Sequence, residues 1–157
     1  MEYQYTYSTN LGKITIIEAD KKISLIIRGN VNYCLVKETQ LIKKTVEQIN
    51  EYFAGQRQYF EIPLRLVGTK FQVKVWKEII KIPYGETRSY QDIAKKIGYP
   101  RAYRAVGSAT RNACLSILIP CHRVIKSDGS IGAFGDSMDL KIELLRFEKE
   151  IINNKKQ

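Results

Sequence analysis

The spacing of apolar residues changes once along the chain, and this change limits the folds that the sequence can adopt. Over residues 1–31, β-branched and aromatic side chains form three short runs, at residues 3–7, 13–18 and 23–28, with turn-forming residues between them. Short runs separated by turns predict antiparallel strands. From residue 39 onward, apolar residues recur at the three- and four-residue spacing of amphipathic helices. The pattern therefore predicts an α/β chain whose sheet lies near the N-terminus.

Five helices are predicted from this spacing, and they cover residues 39–53, 69–82, 89–97, 101–111 and 136–152. Thr69 and Ser89 are the expected N-caps of the second and third helices, and Asp92 completes a capping box with Ser89. The third and fourth helices are joined by a short turn that contains Gly98, an arrangement that predicts a helix-turn-helix.

The last predicted helix carries Met138, Ile142 and Leu145 along one stripe, which continues to either Glu148 or Lys149. Further apolar residues lie beside this stripe. The residues after 152 are expected to fray, as chain ends commonly do.

A polar connection that contains Gly55 and Pro63 follows the first helix, and a short strand is expected within it around residues 60–64. We place the domain boundary in this connection. Residues 1–62 are predicted to form a small domain of antiparallel strands and one helix, and residues 63–157 a mainly helical domain. With 44% apolar residues, the chain is hydrophobic enough to bury a core.

Composition and spacing exclude several classes of protein. No apolar run approaches the ~18 residues that a membrane-spanning helix needs. The polar and aromatic residues 1–7 do not resemble a secretory signal. The three cysteines lack the spacing of a disulfide framework, and His122 is the only histidine, so no metal site is expected. We therefore expect an intracellular protein, located in the cytoplasm or in a nucleoid or nucleus.

Positive charge is concentrated in one part of the chain. There are 26 lysines and arginines against 16 acidic residues, a formal net charge of +10. Residues 87–126 hold eight of the basic residues and one acidic residue, Asp92. Basic side chains on a solvated surface ordinarily serve solubility. Their concentration around a predicted helix-turn-helix instead favours a binding site for a polyanion.

A cysteine, a histidine and an arginine follow one another at Cys121, His122 and Arg123, directly after an apolar run that ends in Pro120. A thiol is a nucleophile only as the thiolate, so it needs a neighbouring base or positive charge. His122 offers the base and Arg123 the charge. A cysteine beside an apolar run is more commonly a packing residue, and the three residues alone leave both interpretations open.

Four blocks of sequence resemble one known family. The sequence Pro-Cys-His-Arg-Val at residues 120–124 resembles the active-site signature of the O6-alkylguanine-DNA alkyltransferases, also called methylated-DNA–protein-cysteine methyltransferases. Residues 68–76, 82–91 and 104–107 resemble further blocks of the family, in the family's order, and weaker similarity covers much of the remainder. The resemblance implies a ribonuclease-H-like N-terminal domain, followed by a helical domain that contains the helix-turn-helix and Cys121.

The resemblance also implies a single-turnover DNA repair reaction without a cofactor. Cys121 would attack the alkyl carbon on O6 of guanine, with O4-alkylthymine as a further candidate substrate. His122 would remove the thiol proton through a water, Glu148 would orient His122, and Tyr90 would protonate N3 of the departing guanine. Taken singly, each of these three side chains is more commonly a packing or surface residue. The family's substrate pocket corresponds here to Val124, Phe134, Gly135 and Met138.

The implied partner is duplex DNA that contains O6-alkylguanine, with no membrane association and a monomeric protein. The helix at residues 101–111 would lie in the minor groove, and Arg104 would fill the space left by the extruded guanine. Small side chains make this helix thin, although close packing against neighbouring helices would also explain them. The other candidate DNA-contacting residues are Ala105, Gly107, Ser108, Arg101, Arg111, Lys95 and Lys96.

The sequence departs from the family at a few positions. Ala113 stands where the family commonly has an asparagine that ties the recognition helix to the active-site loop, and Asn112 lies one residue earlier. Phe134 lacks the hydroxyl of the tyrosine that is usual in its loop, and Asp136 adds a charge near the pocket. Arg123 is expected to be structural.

The alternative function is DNA binding without repair. The protein would then be either a helix-turn-helix regulator or a module that flags lesions without repairing them. Members of the family that only bind lesions have lost the nucleophile, so the presence of Cys121 argues against the second version.

Overall fold

The structure, a computed structural model, describes residues 1–115, 117–131 and 138–155, without the side chains of Met138 and Asp139. It divides into two compact units, Met1–Val67 and Gly68–Gln157. The first holds the sheet and one helix, and the second holds the remaining helices. The predicted α/β architecture is therefore confirmed.

The first unit is a four-stranded sheet with the strand order β3-β2-β1-β4. Its strands are β1 (Glu2–Thr9), β2 (Gly12–Ala19), β3 (Lys22–Arg28) and β4 (Leu35–Val36). Strands β1, β2 and β3 pair antiparallel, as predicted, whereas the short β4 pairs parallel to β1 and was not predicted. A two-residue strand leaves no periodic signal in the sequence.

Strand β4 is held in place by a buried glutamine of β1. The side-chain oxygen of Gln4 accepts hydrogen bonds from the backbone N–H groups of Tyr33 (2.6 Å) and Cys34 (2.8 Å). Its amide nitrogen donates to the carbonyl of Val31. Buried polar side chains need hydrogen-bond partners, and Gln4 finds them in the segment that leads into β4.

Helix α1 (Gln40–Phe53) covers one face of this sheet, and Thr39 caps it by accepting a hydrogen bond from the N–H of Ile42. Its apolar side chains share the core with those of the sheet, above all with β2, where every residue from Ile14 to Ala19 is buried. The buried apolar residues of α1 are Ile42, Val46, Ile49 and Tyr52.

The first unit extends past the predicted boundary at residues 62 and 63. The N–H of Ile23 donates to the carbonyl of Pro63 (2.9 Å), and the N–H of Arg65 donates to the carbonyl of Ile23 (2.8 Å). Leu64 thereby forms an isolated β-bridge with Ile23 of β3. This bridge replaces the short strand that was expected around residues 60–64. These bonds attach residues 63–65 to the sheet.

The second unit contains α2 (Lys70–Ile80), the short strand β5 (Arg88–Ser89), α3 (Tyr90–Lys96), α4 (Tyr103–Arg111), the short strand β6 (Val124–Ile125) and α5 (Met138–Lys155). The predicted caps Thr69 and Ser89 are confirmed, and Asp92 forms the predicted capping box with Ser89. Helices α3 and α4 pack against each other and form the predicted helix-turn-helix. Helix α4 begins at Tyr103, later than expected, because the N–H of Ala102 closes a turn on the carbonyl of Tyr99.

One expectation for α5 was wrong, and its buried face is only partly the stripe described from the sequence. The helix continues to Lys155, where fraying was expected after residue 152. Its buried residues include Lys141, Leu144 and Glu148, whereas Ile142, on the stripe singled out from the sequence, is 38% exposed. The helix turns two ionisable side chains inward because both find partners there, as the site geometry shows.

A buried hydrogen bond anchors helix α4. The indole N–H of Trp76 in α2 donates to the carbonyl of Ala109 in α4 at 2.8 Å. The small residues of α4 serve two purposes: Gly107 and Ala109 are buried against neighbours, whereas Ala105 and Ser108 are exposed. Close packing and a thin outer face therefore occur on opposite sides of one helix.

No helix in the described ranges is both long and apolar enough to cross a membrane.

Replacing Trp76 with phenylalanine should lower the free energy of unfolding by about 1–3 kcal/mol, because the Ala109 carbonyl loses a buried donor. The change should appear as a lower urea midpoint, measured by circular dichroism. Tyr59→Phe, which alters an exposed residue, is the control and should leave the midpoint unchanged. A Trp76→Phe midpoint equal to that of the unmodified protein would show that the bond does not anchor α4.

Candidate active site

Two short strands bring the candidate nucleophile and the candidate acid together. Residues Cys121–Arg123 form a single 3₁₀ turn that leads directly into β6. Strand β5 pairs parallel to β6, with Arg88 opposite Val124 and Ser89 opposite Ile125. Because Tyr90 follows β5 at once, this pairing places the first turn of α3 beside the Cys121 turn.

The carboxylate of Glu148 receives hydrogen bonds from three residues. His122 Nε2 lies 2.6 Å from Oε2. Arg123 donates through Nε to Oε1 (2.9 Å) and through Nη2 to Oε2 (2.8 Å). The backbone N–H of Gly85 donates to Oε1 at 3.0 Å. The side chains of His122, Arg123 and Glu148 are buried, so they form an ion-pair network shielded from solvent.

The network determines where the protons lie. Burial alone would raise the pKa of Glu148, but the hydrogen bonds and charges of His122 and Arg123 outweigh it and hold the pKa far below its ordinary value. Burial lowers the pKa of His122, despite the opposing effect of Glu148. His122 is therefore neutral and Glu148 ionised at neutral pH.

The tautomer of His122 follows from these charge states. An ionised carboxylate can only accept hydrogen bonds, so Nε2 must carry the ring hydrogen and donate it to Glu148. The lone pair then lies on Nδ1, which is buried and has no hydrogen-bond partner within the described part of the chain. A neutral imidazole with a free Nδ1 is the form that can take up a proton.

Arg123 connects the network to the turn before β5. Its Nη1 donates to the carbonyl of Ile82 at 2.8 Å, and its guanidinium lies 5.5 Å from the ring centre of Tyr84. Gly85, in the same turn, has a φ of +79°, which favours glycine, and a Cβ at this position would overlap the side chain of Ile152. The expected structural role of Arg123 is consistent with these contacts.

The thiol of Cys121 is buried, with 3% of the residue exposed. Burial raises the pKa of this thiol to about 12, and the charge of Lys141 opposes the shift. In the free protein the thiol is therefore protonated at neutral pH. Attack by sulfur requires a group that removes this proton.

Lys141 is a site residue that sequence reasoning missed. Its side chain is fully buried, its ammonium donates to the backbone carbonyl of Val124, and it lies 5.8 Å from the ring centre of Tyr90. Burial lowers the pKa of Lys141 to about 8, and Cys121 opposes this shift. One signal was available, since Lys141 precedes Glu148 by seven residues and therefore shares its helix face.

Tyr90 lines a cavity of about 770 Å³ beside α4. Burial raises the pKa of Tyr90, with Arg111 opposing and Cys121 adding to the shift, so the phenol keeps its proton at neutral pH. The ring packs beside Gly107, where an added Cβ would stand 3.9 Å from it. The other lining residues are Gln91, Tyr103, Arg104, Arg111, Lys126, Ser127 and Asp128.

The predicted DNA-contacting residues are mostly exposed, but they do not all meet at this cavity. Arg104, Gly107 and Arg111 line it. Lys96 instead lines a second cleft of about 610 Å³, together with Lys81 and Arg88. The others, which line neither cavity but are exposed, are Lys95, Arg101, Ala105 and Ser108. Lys126, Ser127 and Asp128 also line the cavity but were not predicted to contact DNA, although Lys126 belongs to the basic segment at residues 87–126.

Part of the predicted substrate pocket lies outside the described residues, namely Phe134, Gly135 and the side chain of Met138. Val124 is fully buried, with its carbonyl bound to Lys141. Asn112 ends α4, and its N–H donates to the carbonyl of Ser108 at 3.1 Å. Over the ranges that the structure covers, no three metal-binding side chains come together.

Known proteins resemble the chain over nearly its whole length. Residues 70–150 match the family model of the 6-O-methylguanine DNA methyltransferase DNA-binding domain, and residues 3–66 match that of its ribonuclease-like domain. The constitutive methylated-DNA–protein-cysteine methyltransferase of Bacillus subtilis is 40% identical, over 95% of this chain and 96% of its own. The methylated-DNA–protein-cysteine methyltransferase of Methanosarcina barkeri is 44% identical, over 73% of this chain and 72% of its own.

A solved structure shares the fold. The Mycobacterium tuberculosis OGT crystallised in complex with DNA superposes with a TM-score of 0.85. The two sequences are 35% identical, and the superposition covers 95% of this chain and 94% of the other.

The free energy of unfolding should fall as the pH is lowered from 7 to 4. The unfolded chain protonates His122 near pH 6.5 and Glu148 near pH 4.5, whereas the folded site resists both protonations. The unfolded state therefore binds more protons in this range and gains stability relative to the folded state. Urea unfolding at a series of pH values measures the effect.

The first part of this decline, between pH 7 and 5.5, is assigned to His122, because it is the only histidine. His122→Asn should remove that part and leave the decline below pH 5. An equal decline in both proteins between pH 7 and 5.5 would contradict the assignment.

Proposed function

The chain belongs to the 6-O-methylguanine DNA methyltransferase family, and we propose that Cys121 is the cysteine that accepts the alkyl group in its reaction. The protein is a DNA-repair alkyltransferase, which moves an alkyl group from O6-alkylguanine in DNA to a cysteine of its own. The observation that carries the choice of Cys121 is its place in the turn that also presents His122 to Glu148.

His122 is the proposed general base. Its neutral form and its free Nδ1 support this role, because a thiol with a pKa near 12 cannot ionise unaided at neutral pH. We propose that the proton passes from the Cys121 sulfur to Nδ1 through a water molecule. Glu148 orients the ring and stabilises the imidazolium that results. Lys141, close enough to oppose the pKa shift of Cys121, stabilises the thiolate.

The transfer step is a displacement at the alkyl carbon. The thiolate forms a sulfur–carbon bond as the bond from that carbon to O6 of guanine breaks, and the bonding electrons leave with the guanine. Tyr90 donates a proton to N3 of the leaving guanine, which then departs as a neutral base. The raised pKa of Tyr90 keeps its hydroxyl protonated for this purpose. Acid assistance of this kind typically contributes ~10²-fold or more.

Duplex DNA that carries the lesion is the partner of this site. We propose that the thin outer face of α4, formed by Ala105 and Ser108, lies in the minor groove, and that Arg104 fills the gap left by the extruded guanine. The exposed basic residues at the ends of α3 and α4 contact phosphates, which gives affinity without sequence preference. Such a partner implies an intracellular location.

No observation favours the binding-only alternative. A helix-turn-helix regulator needs an exposed basic face but has no use for a buried thiol beside a neutral histidine and an ionised glutamate. The two functions differ in one measurable respect. Repair changes the mass of the protein, and binding does not.

Intact mass spectrometry after mixing with an O6-methylguanine duplex tests the proposed acceptor. The unmodified protein should gain one methyl-sized increment, and peptide mapping should place it on Cys121. Cys121→Ala should bind the duplex and gain nothing. Cys114→Ala, which removes an exposed thiol, is the matched control and should still be methylated. Retained binding with no increment in the unmodified protein would exclude transfer.

A further inference from the structure

One row of helix α4 faces the cavity that holds Tyr90. Tyr103, Gly107 and Arg111 are spaced four residues apart and all line this cavity. Residues at this spacing lie above one another on a helix. Gly107 lies against the Tyr90 ring. Tyr103 therefore stands one turn above the candidate acid, on the same wall of the cavity.

The ring of Tyr103 is exposed on one side of the cavity wall. It is 41% exposed, and within the ranges covered by the structure it has no hydrogen bond, ion pair or ring contact. Tyr99, in the turn before α4, is equally exposed at 48% but contacts Phe71 edge to face and receives the ammonium of Lys74 at 5.4 Å. The ring of Tyr90 contacts the ammonium of Lys141, which lies 5.8 Å from the ring centre. Tyr103 is thus the aromatic ring of this cavity wall that is available to a ligand.

We propose that Tyr103 stacks on the alkylated guanine after the base has left the DNA helix, and so holds it in the cavity for transfer. This role rests on the proposed function of the site. Every base presents a flat π-face, and stacking on an aromatic side chain needs the ring but not its hydroxyl. Of the cations that line the cavity, Arg104 is assigned to the gap in the DNA, and Arg111 and Lys126 suit phosphates.

Tyr103 and its neighbour Arg104 have different roles in this arrangement. Both residues line the cavity, but adjacent helical residues point about 100° apart, so Arg104 and Tyr103 leave α4 in different directions. Arg104 stabilises the DNA from which the base has been removed. Tyr103 stabilises the removed base itself, which offsets part of the few kcal/mol that unstacking costs. Tyr103 therefore acts on a base whether or not it is attached to DNA.

The rate of alkyl transfer to variants at position 103 tests this role. Tyr103→Phe, Tyr103→Leu and Tyr103→Ala are reacted with an O6-methylguanine duplex and, separately, with free O6-benzylguanine. Tyr103→Ala should be slower by about tenfold with both substrates, the effect expected from the loss of one base–aromatic stack. Tyr103→Phe should match the unmodified protein, and Tyr103→Leu should fall between the two.

Tyr99→Ala is the matched control, since it removes an exposed tyrosine that does not line the cavity, and its rate with free O6-benzylguanine should be unchanged. Trp76, the only tryptophan, reports by its fluorescence whether α4 remains packed in each variant, because its indole is bonded to Ala109.

Three results would overturn the role of Tyr103. They are an unchanged rate of Tyr103→Ala with free O6-benzylguanine, a Tyr103→Phe variant as slow as Tyr103→Ala, and slowing that is confined to the duplex. The last would mean that the ring contacts DNA and not the extruded base. Failure of the proposed function is distinguishable from all three, because in that case the unmodified protein itself would gain no alkyl group.

Discussion

The buried carboxylate of Glu148 is the group on which the candidate site depends. It joins three parts of the chain that are distant in sequence: the turn at Gly85, the turn of His122 and Arg123, and helix α5. An ionised carboxylate away from water is costly by several kcal/mol, and only well-placed partners offset that cost. The same bonds that stabilise the charge also set the tautomer of His122. The hydrogen bonds of Glu148 therefore serve both the stability of the fold and the tautomer of His122, and a substitution that removes them should disturb both.

Helix α4 connects the candidate site to the surface that we propose contacts DNA. Its buried side is fixed through Gly107, Ala109 and the bond from Trp76, and its outer side exposes small residues and arginine. Between these two sides lies the row of Tyr103, Gly107 and Arg111 that lines the cavity. Within it, Gly107 lets the Tyr90 ring approach the helix backbone. The charge excess of residues 87–126 lies around this helix and the Cys121 turn. A polyanion drawn to that surface is thereby brought to the cavity that Tyr90 lines.

Much of the fold was predictable, because local signals and packing agree there. Alternating runs gave β1 to β3, and the capping residues Thr39, Thr69 and Ser89 lie at the predicted helix starts or directly before them. The misses share a cause: they depend on contacts between residues distant in sequence. Strand β4 depends on Gln4, and the pairing of residues 63–65 with the sheet depends on Ile23. Lys141 was missed because it is charged, and only its partners from other elements allow its burial.

In the proposed reaction Cys121 is consumed when it accepts an alkyl group, since a thioether offers no bond that the site can reopen. Quantitative transfer from a large excess of O6-methylguanine duplex tests this most directly. Methyl transfer should stop at one group per protein molecule, all of it on Cys121, and fresh duplex should add nothing. Continued transfer beyond one equivalent, or a plateau with the group on another residue, would contradict it.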